Sequence, residues 1–372
     1  MQVLRHVVKS RGKIFPNCPD SAHNYRVIMS TPLVSVVISC LNGARWLPNC
    51  FASLRKQTIF DRMEVILVDD FSTDGTAELG RKELASFPQA RVIQNMKALG
   101  YTGGNNVGAD AATGEWVCIL NDDTQLEPDC LEQLLRATEE SKSDAAVPTQ
   151  VEYELNSKKI VPTAPMGFDI FGRPSWAESD HDLPGRWHPC FMIGGAGFLI
   201  RREVWKKLGG FDAAHFMYAE DDDIAWKLWL AGHQGVYVQN AIMHHRLNRE
   251  WEVKEFTRYL VNRNSLLVIL KNAQHVLLLC WLLQVLMLAG ESLIMLPVSR
   301  SSKFVWNCYV KAVIDCMKMW RHVLKMRRRN RTFRKRSDWW MARRFLRLRM
   351  NRWDMVKPFF LKGHRPTVKP AK

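Results

Sequence analysis

The sequence predicts an α/β fold built on a mostly parallel β-sheet that is flanked by helices. Short, β-branched and almost fully apolar runs at residues 33–40 and 63–70 suit strands that are buried on both faces of a parallel sheet. Segments with helical spacing follow these runs, and this alternation is typical of βαβ units. Two predicted strands end in acidic pairs, at the sheet edge where such folds bind ligands.

The predicted elements follow one another without an internal repeat. Strands are expected at residues 33–40, 63–70, 91–95, 115–124, 191–200 and 235–245. Helices are expected at residues 46–58, 72–87, 128–141, 202–209, 224–232 and 252–274. Ser72 is the expected N-cap of the second helix. Residues 103–114 (GGNNVGADAATG) are predicted as a Gly- and Asn-rich loop that enters a helix of small residues.

The positive charge is concentrated at one end of the chain. The 372 residues carry a formal net charge of +16, but residues 300–372 hold 23 Lys and Arg against 3 Asp and Glu. The rest of the chain is therefore slightly acidic, so the tail and the body are expected to meet different partners. We divide the chain into a basic lead-in (1–32), a main α/β domain (33–274) and an apolar helix with a basic, Trp-rich tail (275–372).

The nine cysteines are scattered and form no CxxC pair, which predicts reduced thiols in a cytosolic compartment. The first residues contain no apolar segment long enough for a signal peptide. No GxGxxG or GxxxxGK[ST] motif occurs, which disfavours nicotinamide cofactors and P-loop chemistry.

Acidic residues at predicted strand and helix ends are the main candidates for chemistry. Asp122 and Asp123 end a strand, where carboxylates bind Mg²⁺ or Mn²⁺, although a solvated turn is the plainer alternative. Residues 220–223 (EDDD) open a helix, where the helix dipole alone favours acids. Because four adjacent acids repel one another, one of them can have a raised pKa and act as a general base. Asp223 and Lys227 form an expected i,i+4 pair.

Two further polar groups complete the candidate set. His244 and His245 end a predicted strand, and an imidazole beside carboxylates suits Mn²⁺, although a lone His is more often structural. Gly103, Gly104, Asn105 and Asn106 combine close backbone approach with amides that can bond sugar hydroxyls.

Taken together, these segments resemble family 2 glycosyltransferases with the GT-A fold. The resemblance spans residues 33–275 in the order of the family and is most similar to the rhamnosyltransferase-like subgroup of bacterial cell-surface polysaccharide biosynthesis. It rests on the following segments: VSVVISCLN (34–42), VILVDDFSTDGT (65–76), LGYTGGNNVG (99–108), GEWVCILNDDT (114–124), GAGFLIRREV (195–204), GGFD (209–212), FMYAEDDD (216–223), AGHQGVYVQNAIMHH (231–245) and YLVNRNSLLVILKN (259–272).

The resemblance implies a role for each matching residue. Asp221 is the expected catalytic base, supported by Glu220 and Asp223. Asp123 and His245 are the expected ligands of a divalent cation, Mg²⁺ or Mn²⁺. The expected nucleotide-sugar-binding residues are Ser39, Asn42, Asp69, Asp70, Asn105, Asn106 and Asp122.

The function implied is an inverting, metal-dependent transfer of one sugar from a nucleotide-sugar to a saccharide acceptor that is lipid-linked. The QxxRW motif of processive synthases is absent from the sequence, which favours single-sugar addition. Two other functions stay open at this point. One is a catalytically inactive membrane or nucleic-acid adaptor on the same fold. The presence of Asp70, Asp123, Asp221 and His245 together argues against it, because an inactive protein does not need them. The other is a nucleotidyltransferase, for which LNGARW (41–46) is a poor phosphate loop.

The run at residues 276–298 is long enough to cross a bilayer. A single crossing would put the basic tail opposite a cytosolic catalytic domain, against the positive-inside tendency. We therefore expect a helix that lies in the inner leaflet at the cytoplasmic face, with a buried helix or a true span as alternatives. The Arg- and Trp-rich tail, with Trp306, Trp320, Trp339, Trp340 and Trp353, suits an anionic membrane surface better than nucleic acid.

Overall fold

The computed structural model describes residues 31–154, 157–161, 167–175, 186–246 and 255–347. Almost all of the predicted lead-in, together with Cys18 and Trp353, lies outside these residues. The eight described cysteines are buried and form no disulfide among the described residues.

The strands within the described residues form one large sheet and one small hairpin. Their bounds are β1 Val34–Cys40, β2 Met63–Asp69, β3 Ala90–Gln94, β4 Trp116–Leu120, β5 Thr124–Leu126, β6 Ala145–Glu154, β7 Ser157–Val161, β8 Gly167–Phe168, β9 Pro174–Ser175, β10 Trp187–Pro189, β11 Gly197–Arg201 and β12 Gly235–His245. The large sheet has the order β10-β12-β6-β11-β4-β1-β2-β3, with β5 on β12 and β7 on β6.

The first half of the sheet is parallel, as predicted. β1 lies between β2 and β4, and both pairings are parallel, so the carboxyl ends of three strands meet at one edge. β1, β2 and β4 are buried along their whole length, which is why they are continuous apolar runs. The second half is partly antiparallel, since β11 runs antiparallel to both β4 and β6, and the sheet as a whole is mostly parallel as predicted.

The helices within the described residues are listed in chain order. They are α1 Leu47–Leu54, α2 Thr76–Leu84, α3 Gly100–Ala111, α4 Cys130–Ser141, α5 Arg202–Leu208, α6 Glu220–Leu230, α7 Glu255–Asn272, α8 Leu278–Ser299, α9 Ser302–Val305, α10 Lys311–Lys318, α11 Trp320–Phe333 and α12 Asp338–Phe345. A π-helical turn, Trp306–Val310, joins α9 to α10.

The structure contradicts two local predictions. Ser72 is not an N-cap, because α2 begins only at Thr76, after Gly75, and the Ser72 hydroxyl accepts from the Asn42 amide instead. The predicted Gly- and Asn-rich loop is part of helix α3. A Cβ at Gly104 would lie 1.9 Å from Ser39 Oγ, so the glycine lets α3 pack closely on β1. The glycines therefore allow close packing of a helix on a strand, and they do not mark a loop.

The C-terminal helices contribute to the core of the main domain. Phe345 and Met341 of α12 are buried with Phe168, Trp226 and other residues of one apolar cluster. The ring centroid of Phe345 lies 5.1 Å from that of Phe191 and 4.7 Å from that of Trp229. The boundary proposed near residue 274 therefore falls between segments that share a hydrophobic core.

Helix α8 has a buried and an exposed face. An 18-residue stretch of this 22-residue helix has a mean hydropathy of 1.9, so the helix is long and apolar enough to cross a membrane by length and composition. Cys280, Gln284, Leu288 and Met295 lie on its buried face. With its amide oxygen toward α7, Gln284 accepts from Ser265 Oγ (2.6 Å) and from Arg173 Nε (3.1 Å). Gln284, one of the two strongly polar residues of the helix together with the half-buried Glu291, therefore faces the protein.

We expect Phe345→Ala to lower the free energy of unfolding by about 3–5 kcal/mol, because it leaves a cavity in a core shared with α6. Trp339→Ala, on the same helix but 65% exposed, is the matched control and should change stability by less than about 0.5 kcal/mol. Chemical denaturation of the full chain measures both. Equal and small effects would show that α12 packs only peripherally.

Candidate functional site

The candidate site lies where β1, β2 and β4 end. β1 separates the two acidic pairs, so Asp69 and Asp70 lie on one side of its C-terminal loop and Asp122 and Asp123 on the other. A Cβ at Gly43 in this loop would lie 2.4 Å from Asp122 Oδ2. Asp122 and Asp123 occupy a turn between β4 and β5 and not a strand end proper.

The carboxylates after β2 are committed to the protein. Asp69 Oδ1 accepts from the Ser72 amide at 3.0 Å. Asp70 accepts from Asn95 Nδ2 (2.8 Å) and from the Leu99 and Gly100 amides (2.9 and 2.8 Å). Both side chains are buried, so Asp70 holds the first turn of α3 against the sheet. Their predicted role in nucleotide recognition stays a prediction.

The polar residues after β1 shape the same loop. Ser39 is buried against Gly104 of α3. Asn42 is exposed, has a left-handed φ of +59°, and its Oδ1 accepts from the Thr73 amide at 2.9 Å. The exposed edge of this loop is therefore formed by Leu41 and Asn42, which are tied to the β2 side of the cleft.

The two asparagines of α3 have different environments. Asn105 is fully buried; its Nδ2 donates to the Tyr101 carbonyl, and its Oδ1 has no partner among the described residues. Asn106 bonds with both groups to Phe211: Oδ1 accepts from the amide (3.0 Å) and Nδ2 donates to the carbonyl (2.9 Å). Asn106 thus links α3 to the GGFD loop, and its sugar-binding role stays a prediction.

Asp122, Asp123 and His245 form an acidic group in which one imidazole nitrogen has no partner among the described residues. The antiparallel pairing of β5 with β12 sets Thr124 opposite His245, and His245 Nε2 lies 3.3 Å from Asp123 Oδ1. His245 Nδ1 is buried without a partner among the described residues. Burial, reinforced by Asp123, raises the pKa of Asp122 to about 7. Carboxylates and an imidazole with excess negative charge are the donor set that Mg²⁺ or Mn²⁺ accepts.

A second acidic group, of Asp212, His215 and Asp223, also has metal-like spacing. Its centre is filled by Lys271 Nζ, which lies 2.6 Å from Asp212 Oδ2, 3.0 Å from Asp223 Oδ1 and 3.0 Å from His215 Nε2. Although burial opposes it, Lys271 holds the pKa of Asp212 below its ordinary value. An ammonium group therefore occupies the position that a cation would take, and this group is structural.

The acids that open α6 differ in protonation. Asp223 forms the predicted ion pair with Lys227 (3.1 Å), and despite burial Lys227 and Lys271 hold its pKa low. Burial raises the pKa of Asp221 to about 7 and that of Asp222 to about 8. Asp221 Oδ2 accepts from the Gly195 amide at 2.8 Å, whereas its Oδ1 has no partner among the described residues. Asp221 is thus a carboxylate with one available oxygen.

Tyr101 is influenced electrostatically by both acidic groups, and the sequence analysis did not identify it. Its hydroxyl is buried and has no partner among the described residues. Burial raises its pKa well above the ordinary value, and Asp221, Glu220, Asp122 and Asp123 add to the effect in that order. The hydroxyl is therefore near both groups. The one sequence signal for Tyr101 is its position as an aromatic residue among the glycines of LGYTGG (99–104).

A basic pocket beside Asp123 was also missed. A cavity of about 270 Å³ is lined by Arg45, Trp46, Asp123 and Arg246, among others. The guanidinium carbons of Arg45 and Arg246 lie 4.6 and 4.1 Å from the centre of the Trp46 ring. Neither guanidinium pairs with a carboxylate of the described residues. Arg45 and Trp46 are adjacent in the NGARW segment (42–46), but Arg246 lies about 200 residues further along the chain, so the sequence pattern did not show that they meet.

Known proteins match this architecture. The sequence model of Glycosyl transferase family 2 matches residues 35–209, from β1 to the end of α5, and includes both acidic pairs. Residues 35–209, slightly less than half of the chain, are therefore similar to glycosyl transferase family 2.

Two curated proteins show how far the similarity of this chain extends. It is 28% identical over 210 residues to the N-acetylglucosaminyl-diphospho-decaprenol L-rhamnosyltransferase of Mycobacterium tuberculosis, which covers 50% of this chain and 67% of that protein. It is 25% identical over 244 residues to EpsH of Bacillus subtilis, which covers 62% of this chain and 66% of EpsH. The chain thus spans about two thirds of the length of these relatives.

The solved structure of GalNAc-T7 with UDP, GalNAc and Mn²⁺ has the same fold as this chain. The TM-score is 0.61 at 17% identity, over 91% of this chain and 58% of that one. The predicted GT-A fold is therefore confirmed, including the helices that follow the sheet.

We expect Mn²⁺ to raise the melting temperature of the protein by binding the group of Asp123 and His245, since selective binding stabilises the fold. Asp123→Ala should abolish this shift. His215→Gln, which alters the group that Lys271 fills, is the control and should retain it. Thermal unfolding with and without Mn²⁺ measures the three proteins. If Asp123→Ala kept the shift and His215→Gln lost it, the cation would bind at the group around Lys271 instead.

Proposed function

We propose that this glycosyltransferase transfers one sugar, with inversion, from a nucleotide-sugar to a lipid-linked saccharide acceptor, and that it depends on a divalent cation. The observation that carries the proposal is a pair of acidic groups without a Lys or Arg ion pair among the described residues, both of which raise the pKa of Tyr101. One group, Asp123 and His245, suits a cation, and the other offers Asp221 with an available oxygen and a pKa of about 7.

The two groups would act at opposite ends of the bond that breaks. A cation held by Asp123 and His245 supplies charge neutralisation and Lewis acidity to the leaving diphosphate. Asp221 accepts the proton of the acceptor hydroxyl as its oxygen attacks the anomeric carbon from the face opposite the leaving group. Because a base works best with a pKa near the operating pH, a value of about 7 suits Asp221 to this task.

Arg45 and Arg246 would bind the diphosphate of the donor. Their guanidinium groups border the cavity that Asp123 also lines, and Asp123 without a cation would repel a phosphate. Donor binding is therefore expected to require the cation and the two arginines together. The base of the nucleotide would lie over the exposed Leu41 and Asn42, on the β2 side of the cleft.

We expect Asp221→Asn to lower turnover by about 100-fold or more while donor affinity changes less than about twofold, because a general base contributes about 10²–10⁴ in rate. The double variant Arg45→Ala, Arg246→Ala should lose donor affinity instead. Turnover and calorimetric donor binding with Mn²⁺ separate the two. The kcat of the parent enzyme should fall below about pH 7, where Asp221 becomes protonated. Near-normal turnover of Asp221→Asn would remove it as the base.

The acceptor proposal rests on a relative and on the surface of α8. The relative from Mycobacterium tuberculosis is named for a decaprenol-linked acceptor. The outward face of α8 exposes Leu279, Leu282, Leu286 and Leu293 at helical spacing. Since the polar Gln284 faces inward, α8 would lie in the membrane interface with its leucines toward lipid. The enzyme would thereby meet acceptor lipids at the cytoplasmic face.

A second apolar stripe runs along the helices that follow. It consists of Trp306, Val310, Ile314, Met317, Trp320 and Leu324, all exposed and spaced three or four residues apart. The exposed cations Lys303, Lys311, Lys318, Arg321 and Lys325 lie on the same helices. Each basic residue near an anionic surface contributes about 1 kcal/mol. The stripe thus suits an anionic bilayer.

We expect the triple variant Leu282→Ser, Leu286→Ser, Leu293→Ser to weaken binding to anionic vesicles by about 100-fold, if each buried leucine contributes about 1 kcal/mol. Met96→Ser, another highly exposed apolar residue but on the main domain, is the control and should float like the parent. Vesicle flotation at low and high salt measures binding. Equal flotation of all three proteins would exclude α8 as the anchor.

A further inference from the structure

The segment that leads into α6 is held in an unfavourable backbone conformation. Phe216, Tyr218 and Ala219 have φ values of +66°, +70° and +60°, in the left-handed region that residues with a Cβ rarely adopt. Each such residue costs about 1–3 kcal/mol and persists only where its surroundings impose it. Ala219 is the N-cap of α6, so the path of this segment sets the positions of Glu220 and Asp221, the first two residues of the helix.

Asn264, in the middle of α7, supplies hydrogen bonds that impose this conformation. Its Nδ2 lies within hydrogen-bond distance of the carbonyls of His215 (2.9 Å), Met217 (2.8 Å) and Tyr218 (2.9 Å), among which its two hydrogens are shared. The side chain is fully buried. Because a peptide carbonyl without a partner is costly in the interior, loss of this amide would favour another path of the segment.

Two neighbours complete the support. Arg263 Nε donates to Asn264 Oδ1 (2.9 Å), and its terminal nitrogen donates to the carbonyls of Ala214 (3.0 Å) and His215 (3.2 Å). The Thr102 amide of α3 donates to the Phe216 carbonyl (3.1 Å). Every carbonyl from residue 214 to residue 218 therefore has a donor from α7 or α3.

Asp221 is confined from the opposite side as well. A Cβ at Gly194 would lie 2.3 Å from Asp221 Cγ, and the Gly195 amide donates to Asp221 Oδ2. The Asp221 carboxylate cannot move toward Gly194 and Gly195. Its position therefore depends on the backbone segment that precedes α6. A shift of this segment would withdraw Asp221 from the Gly195 amide.

We propose that Asn264, oriented by Arg263, is a positioning residue that holds the left-handed segment so that Asp221 faces the cleft. The proposal rests on the proposed role of Asp221 as base. It assigns a function to the NRN run of α7, at residues 262–264, beyond packing. Neither side chain touches the reacting atoms; both act through the backbone that precedes α6.

Asn262 provides a matched control on the same helix. It is also a fully buried asparagine, but its Nδ2 donates to the Cys308 carbonyl of the π-helical turn (2.9 Å), away from the segment. We expect Asn264→Ala to lower kcat by about 10- to 100-fold with the donor KM unchanged, because a displacement of about 1 Å costs this much. Asn262→Ala should keep kcat within about threefold. Similar kcat losses in both variants would overturn the proposal.

The pH profile gives a readout that loss of packing alone would not move. Burial raises the pKa of Asp221, so a loosened segment that admits water should lower it. The acidic limb of kcat should then move to lower pH in Asn264→Ala and stay in place in Asn262→Ala. An unchanged limb in Asn264→Ala would contradict the positioning role.

Hydrogen exchange tests the segment independently of turnover. Amides of residues 216–223 should exchange faster in Asn264→Ala and not in Asn262→Ala. If Asn264→Ala does not fold, Arg263→Lys, at a half-buried position, should show the same changes to a smaller degree, about fivefold in kcat. Unchanged exchange would overturn the proposal, whereas full turnover of Asp221→Asn would overturn only the role of the base.

Discussion

The buried ammonium group of Lys271 is the interaction on which the geometry of the site depends. It lies between Asp212 of the GGFD loop and Asp223 of α6, and it is almost completely shielded from solvent. His322 Nε2 of α11 also donates to Asp212 Oδ2, at 2.8 Å. Four separate segments therefore meet at one charge. Removal of a buried charge leaves its partners unpaired, which costs more than the pair contributes, so these segments are obliged to stay together.

This arrangement divides the acidic residues of the protein into two kinds. Asp212 and Asp223 are neutralised by Lys271, whereas Asp122, Asp123, Glu220 and Asp221 form no ion pair with a Lys or Arg of the described residues, and Arg45 and Arg246 only border the cavity that Asp123 lines. The second kind is costly to keep charged, and burial raises the pKa of Asp122 and Asp221 accordingly. Such an imbalance is typical of sites where a bound cation and a proton transfer complete the electrostatics.

The apolar outer face of α8 and the acidic cleft are connected through one core. Gln284 of α8 bonds to Ser265 of α7, and α7 also carries Asn264 and Lys271, which support the start of α6. A helix that presents leucines outward is thus connected, through one intervening helix, to the acids of the cleft. A protein built in this way would hold its cleft in a constant orientation to any surface that α8 occupies.

The sequence by itself determined the parallel half of the sheet, because β1, β2 and β4 are buried on both faces and must be apolar throughout. It also determined which acids end those strands and that α6 begins with four of them. It could not show that Gly104 packs a helix on Ser39, since small residues serve loops and close packing alike. Only the tertiary structure placed Lys271 among Asp212, His215 and Asp223, and Asn264 beneath residues 215–218. These contacts join residues about 50 positions apart, and their partners are backbone carbonyls or buried charges that no local pattern reveals.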